Sequence, residues 1–256
     1  MKILVLVLDS DTPNSIRNSA VQKSTWVKDF LVDNKVLFYK AGDEIVLTGI
    51  DLLVDCSNTY EAMGVKTIKA LEWVNLNIEY DFIFRTNTSS YVNHKNLIKY
   101  LNKLSSEGID YCGHIGLYDG IEYVSGSGII LSKHAVKSIL NSKNQLDESV
   151  VEDIAIGKLL KINNILPTQG KRKDIESHND IRNFDSDEYH IRCRIDSFGY
   201  SRNLESYLLR YIHKNLHKKK KLSELFMVIY MKVNKSTLII QKKIKNIIKS
   251  VLNKPT

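Results

Sequence analysis

Met1-Lys2-Ile3-Leu4-Val5-Leu6-Val7-Leu8-Asp9-Ser10-Asp11 is the stretch that decides the fold. Leucines and β-branched residues in an unbroken run, stopped by two acids, read as a strand buried on both faces, the pattern of a parallel sheet. A secretory leader would need a small-residue cleavage site where this chain has Asp9-Ser10-Asp11. Outward from this strand the same kind of run recurs at Val36–Tyr39, Leu52–Val54 and Asp81–Phe84. Between these runs, residues 15–31 form a helix containing Val21, Trp26 and Phe30, and residues 60–77 space Ala62, Met63, Val65, Ile68, Leu71, Trp73 and Leu76 as a helix does. Further on, the pattern predicts a helix over 94–104, strands near Tyr111-Cys112 and at Ile121–Val124, a helix over 150–162, and helices from 202 onward.

Strand and helix alternating in this way predict an α/β fold with a mostly parallel sheet flanked by helices. Ligands of such sheets lie outside the carboxyl ends of the strands. That places a candidate site at Asp9-Ser10-Asp11 and at Arg85-Thr86-Asn87-Thr88-Ser89-Ser90. Residues 168–190, polar and charged, are expected to form a mobile loop over it.

The 256 residues, 43% hydrophobic and 26% charged, suffice for one substantial core. Cys56, Cys112 and Cys193 lie too far apart for a CxxC pair and read as free thiols of a reducing compartment. No apolar run reaches the roughly 18 residues of a membrane span. Dinucleotide, P-loop and serine-hydrolase chemistry are disfavoured: no GxGxxG follows the first strand, and there is no Walker loop or serine elbow. His and Cys do not fall at zinc-ligand spacing either.

Five segments in register resemble the fringe and β-1,3-galactosyltransferase family of GT-A glycosyltransferases. They are Arg17–Trp26, Tyr60–Thr67 with Trp73, Asp81–Asn93, Tyr123–Ser132 and Glu152-Asp153-Ile154-Ala155-Ile156-Gly157. The resemblance spans about residues 17–160. It implies a GT-A, Rossmann-like domain over 1–200, and the remaining residues 201–256 read from their charge and apolar pattern as a basic, amphipathic helical extension. It also implies transfer of a sugar from a nucleotide sugar, UDP-linked in the family, to a glycan hydroxyl with inversion and a β-1,3 linkage.

One departure stands out. Where the family has an aspartate triplet that binds a divalent metal, this chain has Asn87-Thr88-Ser89. Hard cations need carboxylate oxygens, so the expectation is that no metal cofactor is required. Manganese or magnesium stays open, with Asp9 or Asp11 as substitute ligands. Basic side chains would then meet the diphosphate, from among Arg85, Lys171, Arg172, His190, Arg192, Arg194 and Arg202. The other reading is that catalysis has been lost and the chain only binds.

The resemblance implies Asp153 as general base, with Glu152 as the alternative; both could equally cap the helix over 150–162. Donor contacts are expected from Leu8, Asp9, Arg17, Lys66, Arg85, Thr86, Asn87, Ser89, His190 and Arg192. Arg85 is read either so or as a structural salt bridge. Acceptor contacts are expected from Ser125, Gly126 and Ser127, in a glycine-bearing turn between a strand and a helix. Trp26 and Trp73 lie on apolar helix faces and read as core.

Charge is distributed unevenly. From Arg210 onward the chain has 13 Lys and Arg against the single acid Glu224, while residues 1–209 hold 24 basic and 28 acidic side chains. Lys218–Lys221, then Lys242, Lys243, Lys245 and Lys249 among isoleucines, form a basic amphipathic pattern suited to an anionic membrane surface. A packed helix pair or an oligomer contact is the competing use. The tail lacks the interleaved aromatics of a nucleic-acid binder. The expected partners are therefore a nucleotide-sugar donor, a glycan or lipid-linked acceptor and the cytoplasmic face of a membrane.

Overall fold

A computed structural model describes residues 1–30, 34–181, 187–217 and 221–252. The opening run is strand β1 (Ile3–Leu8). Its alternate side chains enter two separate hydrophobic clusters, Ile3, Val5 and Val7 in one and Leu4 and Leu6 in the other. It is therefore covered on both faces. Helix α1 (Pro13–Ser24) begins where the Thr12 side chain accepts from the Ser15 amide and Pro13 occupies the first turn. The single helix expected over 15–31 is two. The backbone leaves helical geometry at Thr25, and α2 (Trp26–Phe30) starts anew; position 31 lies outside the described residues.

Strands β2 (Lys35–Gly42), β3 (Val46–Thr48) and β4 (Asp51–Asp55) come next, then helix α3 (Met63–Asn77) and strand β5 (Phe82–Asn87). A two-residue turn leads to β6 (Ser90–Val92), and helix α4 (His94–Ser106) is capped by the Asn93 side chain. Strands β7 (Tyr111–Tyr118) and β8 (Ile121–Ser132) precede α5 (Lys133–Asn141) and α6 (Glu152–Ile162). Short strands β9 (Thr168–Gln169), β10 (Lys173–Asp174) and β11 (His190–Arg192) follow, and the chain continues through α7 (Asn203–His217) and α8 (Lys221–Leu252).

The main sheet runs β3-β4-β2-β1-β5-β8-β7-β9, parallel through β4, β2, β1 and β5, then antiparallel at β8. This is the expected α/β class with helices on both faces. A second sheet, β10-β11-β6, stands at the carboxyl end of β5 because β6 follows β5 so closely.

Three expectations need correction. Arg85, Thr86 and Asn87 do not follow the strand; they are its last three residues. Ser125-Gly126-Ser127-Gly128 is not a turn between strand and helix but the middle of β8. Glycine is needed there for close packing, since a Cβ on Gly128 would collide with the buried ring of His190. Part of the stretch read as an irregular loop over 168–190 is ordered as β9, β10 and the start of β11.

Helix α7 shares the core of the sheet: Leu204, Leu208, Leu209 and Ile212 join the cluster around Val5 and Phe84. The buried side chain of Asn18 donates to Glu205 at 2.7 Å, tying α7 to α1. Trp26 is fully buried and Trp73 packs against the second cluster, as their helix positions predicted.

Candidate active site

The carboxyl ends of β1 and β5 are stitched together by short polar side chains. Asp9 Oδ1 accepts from Ser15 Oγ at 2.7 Å and from the Ser10 amide at 2.8 Å. Ser15 Oγ in turn lies 2.9 Å from Thr88 Oγ1 in the turn between β5 and β6. Within that turn Asn87 Oδ1 accepts from the Ser89 amide at 3.1 Å and from Ser89 Oγ at 2.8 Å, so the Asn87 side chain closes its own loop. Leu8, half-buried, ends β1 opposite Asn87 and Tyr39.

The turn occupies the place where the family resembled by sequence holds a metal, and its residues do not fit one. It carries no carboxylate, and its one amide oxygen is engaged within the turn. Among the described residues no group of three or more His, Cys, Asp or Glu side chains is placed to hold an ion. Hard divalent cations take carboxylate and carbonyl oxygens.

Behind the turn lies a closed ring of side chains. Arg85 Nε donates to Tyr39 Oη at 3.0 Å, and Tyr39 Oη lies 2.7 Å from Thr67 Oγ1. Thr67 Oγ1 donates to Glu152 Oε1, and Glu152 Oε2 receives Arg85 Nη2 in an ion pair. Since Thr67 spends its proton on Glu152, Tyr39 must donate to Thr67. Burial pushes the Tyr39 phenol up to about 12, which keeps that proton in place. Arg85 and Glu152 are 2% and 5% exposed, so both charges are out of water and satisfied by each other. Burial nevertheless lifts the Glu152 carboxyl above its ordinary value, against the pull of Arg85. The structural salt bridge is thus the role in which Arg85 is found, and its third nitrogen donates to the Gly126 carbonyl.

Gly126 couples this ring to Asp153. Its amide donates to Asp153 Oδ2 at 2.8 Å while its carbonyl takes Arg85. Asp153 Oδ1 accepts from the Ile154 amide at 3.1 Å, so the carboxylate sits on the first turn of α6, where the helix dipole favours an anion. Asp153 is only half-buried, unlike Glu152. Ser125 and Ser127 point to one side of β8, their hydroxyls 3.2 Å apart. The Ser127 carbonyl accepts from Thr86 Oγ1 at 2.6 Å.

The second sheet adds positive charge. Arg172 donates to Ser127 Oγ at 2.9 Å and to Asp174 at 2.7 Å. His190 is buried, with Nε2 3.0 Å from Ser90 Oγ. Burial first, then Arg172, Arg192 and His114, hold its imidazole well below its ordinary value, so it is neutral. Among the described residues the Arg192 side chain has no hydrogen-bond partner, and its Nε is buried.

The other expected residues separate. Lys66 is buried on the first turn of α3, its side chain without a hydrogen bond or ion pair among the described residues, close enough to Glu152 to act on its titration. Arg17 is exposed and turned toward Asn14 and Asn203, on the α7 side. Arg194 pairs with Asp196, Arg202 pairs with Glu205, and Lys171 is exposed. Sequence reasoning passed over Tyr39, Thr67, His114 and Asp174. Only Thr67 sat inside a quoted motif, and nothing local distinguishes the rest. A concave surface at the amino end of β5, lined by Met1, Asp81, Asp110 and His134, contains none of these groups.

No protein-family model matches the sequence. The chain is 28% identical over 162 residues to human UDP-GalNAc:beta-1,3-N-acetylgalactosaminyltransferase 1, a match covering 53% of this chain and 48% of that protein. Its match to the Rattus norvegicus enzyme of that name is 28% over 206 residues, 64% of this chain and 61% of that protein. The chain thus spans about half the length of the curated relatives it matches. Among solved structures, a glycosyltransferase involved in the glycosylation of the major capsid of PBCV-1 superposes with a TM-score of 0.54 at 12% identity, covering 82% of this chain and 99% of that one. The chain is therefore similar in sequence to glycosyltransferases and has the fold of one.

Proposed function

We propose that this protein is an inverting glycosyltransferase that moves a sugar from a nucleotide sugar to a hydroxyl of a growing glycan or glycolipid. A UDP donor and a β-1,3 linkage follow from the resemblance and from the names of the relatives. The observation that carries the reading is Asp153, a half-exposed carboxylate fixed by the Gly126 amide at the start of α6. In the proposed step the acceptor oxygen attacks the anomeric carbon as its proton passes to Asp153 and the bond to the diphosphate breaks on the opposite face. Glu152, buried against Arg85, cannot reach an acceptor and instead fixes α6. Ser125 and Ser127 offer the acceptor hydroxyl groups beside the base.

Asp153→Asn keeps the size and the Gly126 contact but cannot take a proton. Donor turnover should fall by about 10²- to 10⁴-fold with donor binding within about twofold, the range for losing a general base. Unchanged turnover would sink the assignment. The competing reading, a binding protein without catalysis, draws on the carboxylate-free turn and expects no turnover even in the unmodified protein.

The second part of the proposal concerns the tail. No described helix is long and apolar enough to cross a membrane. Helix α8 packs on the body through Met227, Val228 and Met231, and Asn234 Oδ1 accepts from the Ser201 amide at 3.1 Å. Exposed Ile229, Val233, Ile240 and Ile244 form a stripe on the other side, flanked by Lys232 and Lys243, while Lys235 turns back over the Tyr200 ring. Lys218–Lys220 lie outside the described residues. Such a face suits an anionic lipid surface. The protein should float with vesicles containing phosphatidylserine, remain behind with neutral ones, and lose binding in Ile240→Glu/Ile244→Glu. Equal partition to both kinds of vesicle would remove the electrostatic part of the reading.

A further inference from the structure

We propose that Arg172 and Arg192 form a guanidinium clamp that binds the donor diphosphate in the place where related enzymes would use a metal ion. The nature of the anion rests on the glycosyltransferase reading above; the anion site itself rests on the following geometry. In the β6–β11 ladder Arg192 pairs with Ser90, one residue beyond the Asn87–Ser89 turn. Side chains alternate along a strand, so Arg192 shares a face with His190, which contacts Ser90. Arg172 reaches the same corner from before β10 and is held on Ser127 and Asp174.

Charge at this corner does not balance. Asp174 stands opposite Arg192 in the β10–β11 register, yet its Oδ2 is given to Arg172. One carboxylate thus stands near two guanidiniums and is bonded to one of them. His114 and His190 add no further positive charge, because burial and then Arg172 hold both imidazoles below their ordinary value. Burial and Arg172 also lower the Arg192 guanidinium, which marks an uncompensated cation. Arg192 Nε and Asp174 Oδ1 are both buried without a hydrogen-bond partner. An arginine cannot shed its proton to relieve this, and an unpaired buried charge is costly. Planar guanidiniums meet phosphate oxygens in pairs, so a diphosphate is the group that satisfies both.

The position also serves the chemistry. Neighbouring residues of β8 hold the base and the clamp, Gly126 binding Asp153 and Ser127 binding Arg172. When the anomeric carbon–oxygen bond breaks, its electron pair stays on the diphosphate, and the added negative charge forms beside Arg172 and Arg192. The new carbon–oxygen bond forms to the acceptor, whose proton is on Asp153. No metal or further reactant is required for the balance.

The test measures binding of UDP, of inorganic pyrophosphate and of uridine to the full-length protein by calorimetry, in chelator and in manganese. UDP and pyrophosphate should bind in chelator and gain less than about threefold from manganese. Arg192→Gln and Arg172→Gln should each weaken both phosphate ligands by about ten- to a hundredfold, the effect of losing one charged hydrogen-bond donor, and leave uridine unchanged. Arg192→Lys should recover only part, because charge returns without the fork. Binding that requires manganese, or UDP affinity unaltered in both glutamine variants, would overturn the clamp. Asp153→Asn keeps the two readings apart. Lost turnover in Asp153→Asn with indifferent arginine variants rejects the clamp and keeps the transferase. Arginine-dependent pyrophosphate binding with no turnover of any nucleotide sugar keeps the anion site and rejects the transferase.

Discussion

Arg85 near the end of β5 and Arg192 opposite Ser90 of β6 are treated in opposite ways. Arg85 is 2% exposed, and each guanidinium nitrogen has a partner within the protein: Tyr39, Gly126 and Glu152. Arg192 is partly buried and its side chain bonds to nothing, with Arg172 rather than a carboxylate as its dominant charged neighbour. A buried charge that is fully paired holds structure; a buried charge left over is kept for something that arrives. The difference teaches which half of the crevice is scaffold and which half is receptive. The scaffold half also explains why Gly126 is so placed, since its two backbone groups tie Arg85 to Asp153.

The largest expected effect breaks the paired side. Glu152→Met strands the Arg85 charge, which cannot be neutralised, and should cost about 3–5 kcal/mol of folding stability. Arg85→Met should cost less, because burial has already lifted the Glu152 carboxyl and the stranded acid can accept a proton. With its counter-charge gone, the folded-state pKa of Glu152 rises further above the unfolded value. The penalty is then relieved as pH falls and the carboxyl stays protonated in both states. Urea unfolding of the two variants at neutral and mildly acidic pH measures this. Equal losses, independent of pH, would mean that the ring is held by packing and not by charge.

The same contrast decides what the sequence made legible. Strand β1, the Val36–Tyr39 part of β2, the Leu52–Val54 part of β4 and the apolar half of β5 are plain because each is an unbroken run of apolar residues. The Glu152-Asp153 motif was legible as a pair, but only the fold divides it into a buried partner for Arg85 and a half-exposed carboxylate on Gly126. The extent of β8 was not legible. Ser125-Gly126-Ser127-Gly128 has the composition of a turn, and its glycines are required by neighbours distant in sequence, Arg85 near Gly126 and His190 against Gly128. Strands of two or three residues such as β9, β10 and β11 carry no periodicity to read. The surplus cation was hidden for a related reason. Arg172, Arg192, Arg194 and Arg202 look alike in a list of basic residues, and only register shows that two have their own acids while two share one.

A medium effect sharpens the receptive side through His190. Its folded-state pKa lies below the ordinary value because of burial and the two arginines. Above about pH 6.5 the ring is neutral in both the folded and the unfolded chain. As pH falls below that, the unfolded chain takes up a proton that the folded one refuses, and stability drops until the folded pKa is reached. The slope from this group is at most about 1.4 kcal/mol per pH unit. Comparing unfolding of the unmodified protein with His190→Gln between roughly pH 7.5 and 5.5, the window that brackets the free imidazole, isolates it. The variant should show the shallower dependence. Saturating pyrophosphate should flatten the unmodified protein's slope as well, because an anion on the arginines makes protonation of the ring easier.

The smallest expected effect is the most direct comparison of the two arginines. Removing Arg192's charge with Arg192→Gln deletes no hydrogen bond, since the side chain makes none. It also relieves the repulsion from Arg172 and leaves the Arg172–Asp174 ion pair in place. Folding stability should therefore change by less than about 1 kcal/mol, and toward greater stability, as expected when an uncompensated buried charge is replaced by a neutral side chain of similar length. Arg85→Met moves the other way. A thermal melt of both variants without ligand measures the contrast, and repeating it with UDP tests what the surplus is for. The unmodified protein should gain more from UDP than Arg192→Gln does, since a ligand stabilises in proportion to its affinity for the folded chain. If Arg192→Gln is destabilised as strongly as Arg85→Met, Arg192 belongs to the scaffold and the division of the crevice into two halves fails.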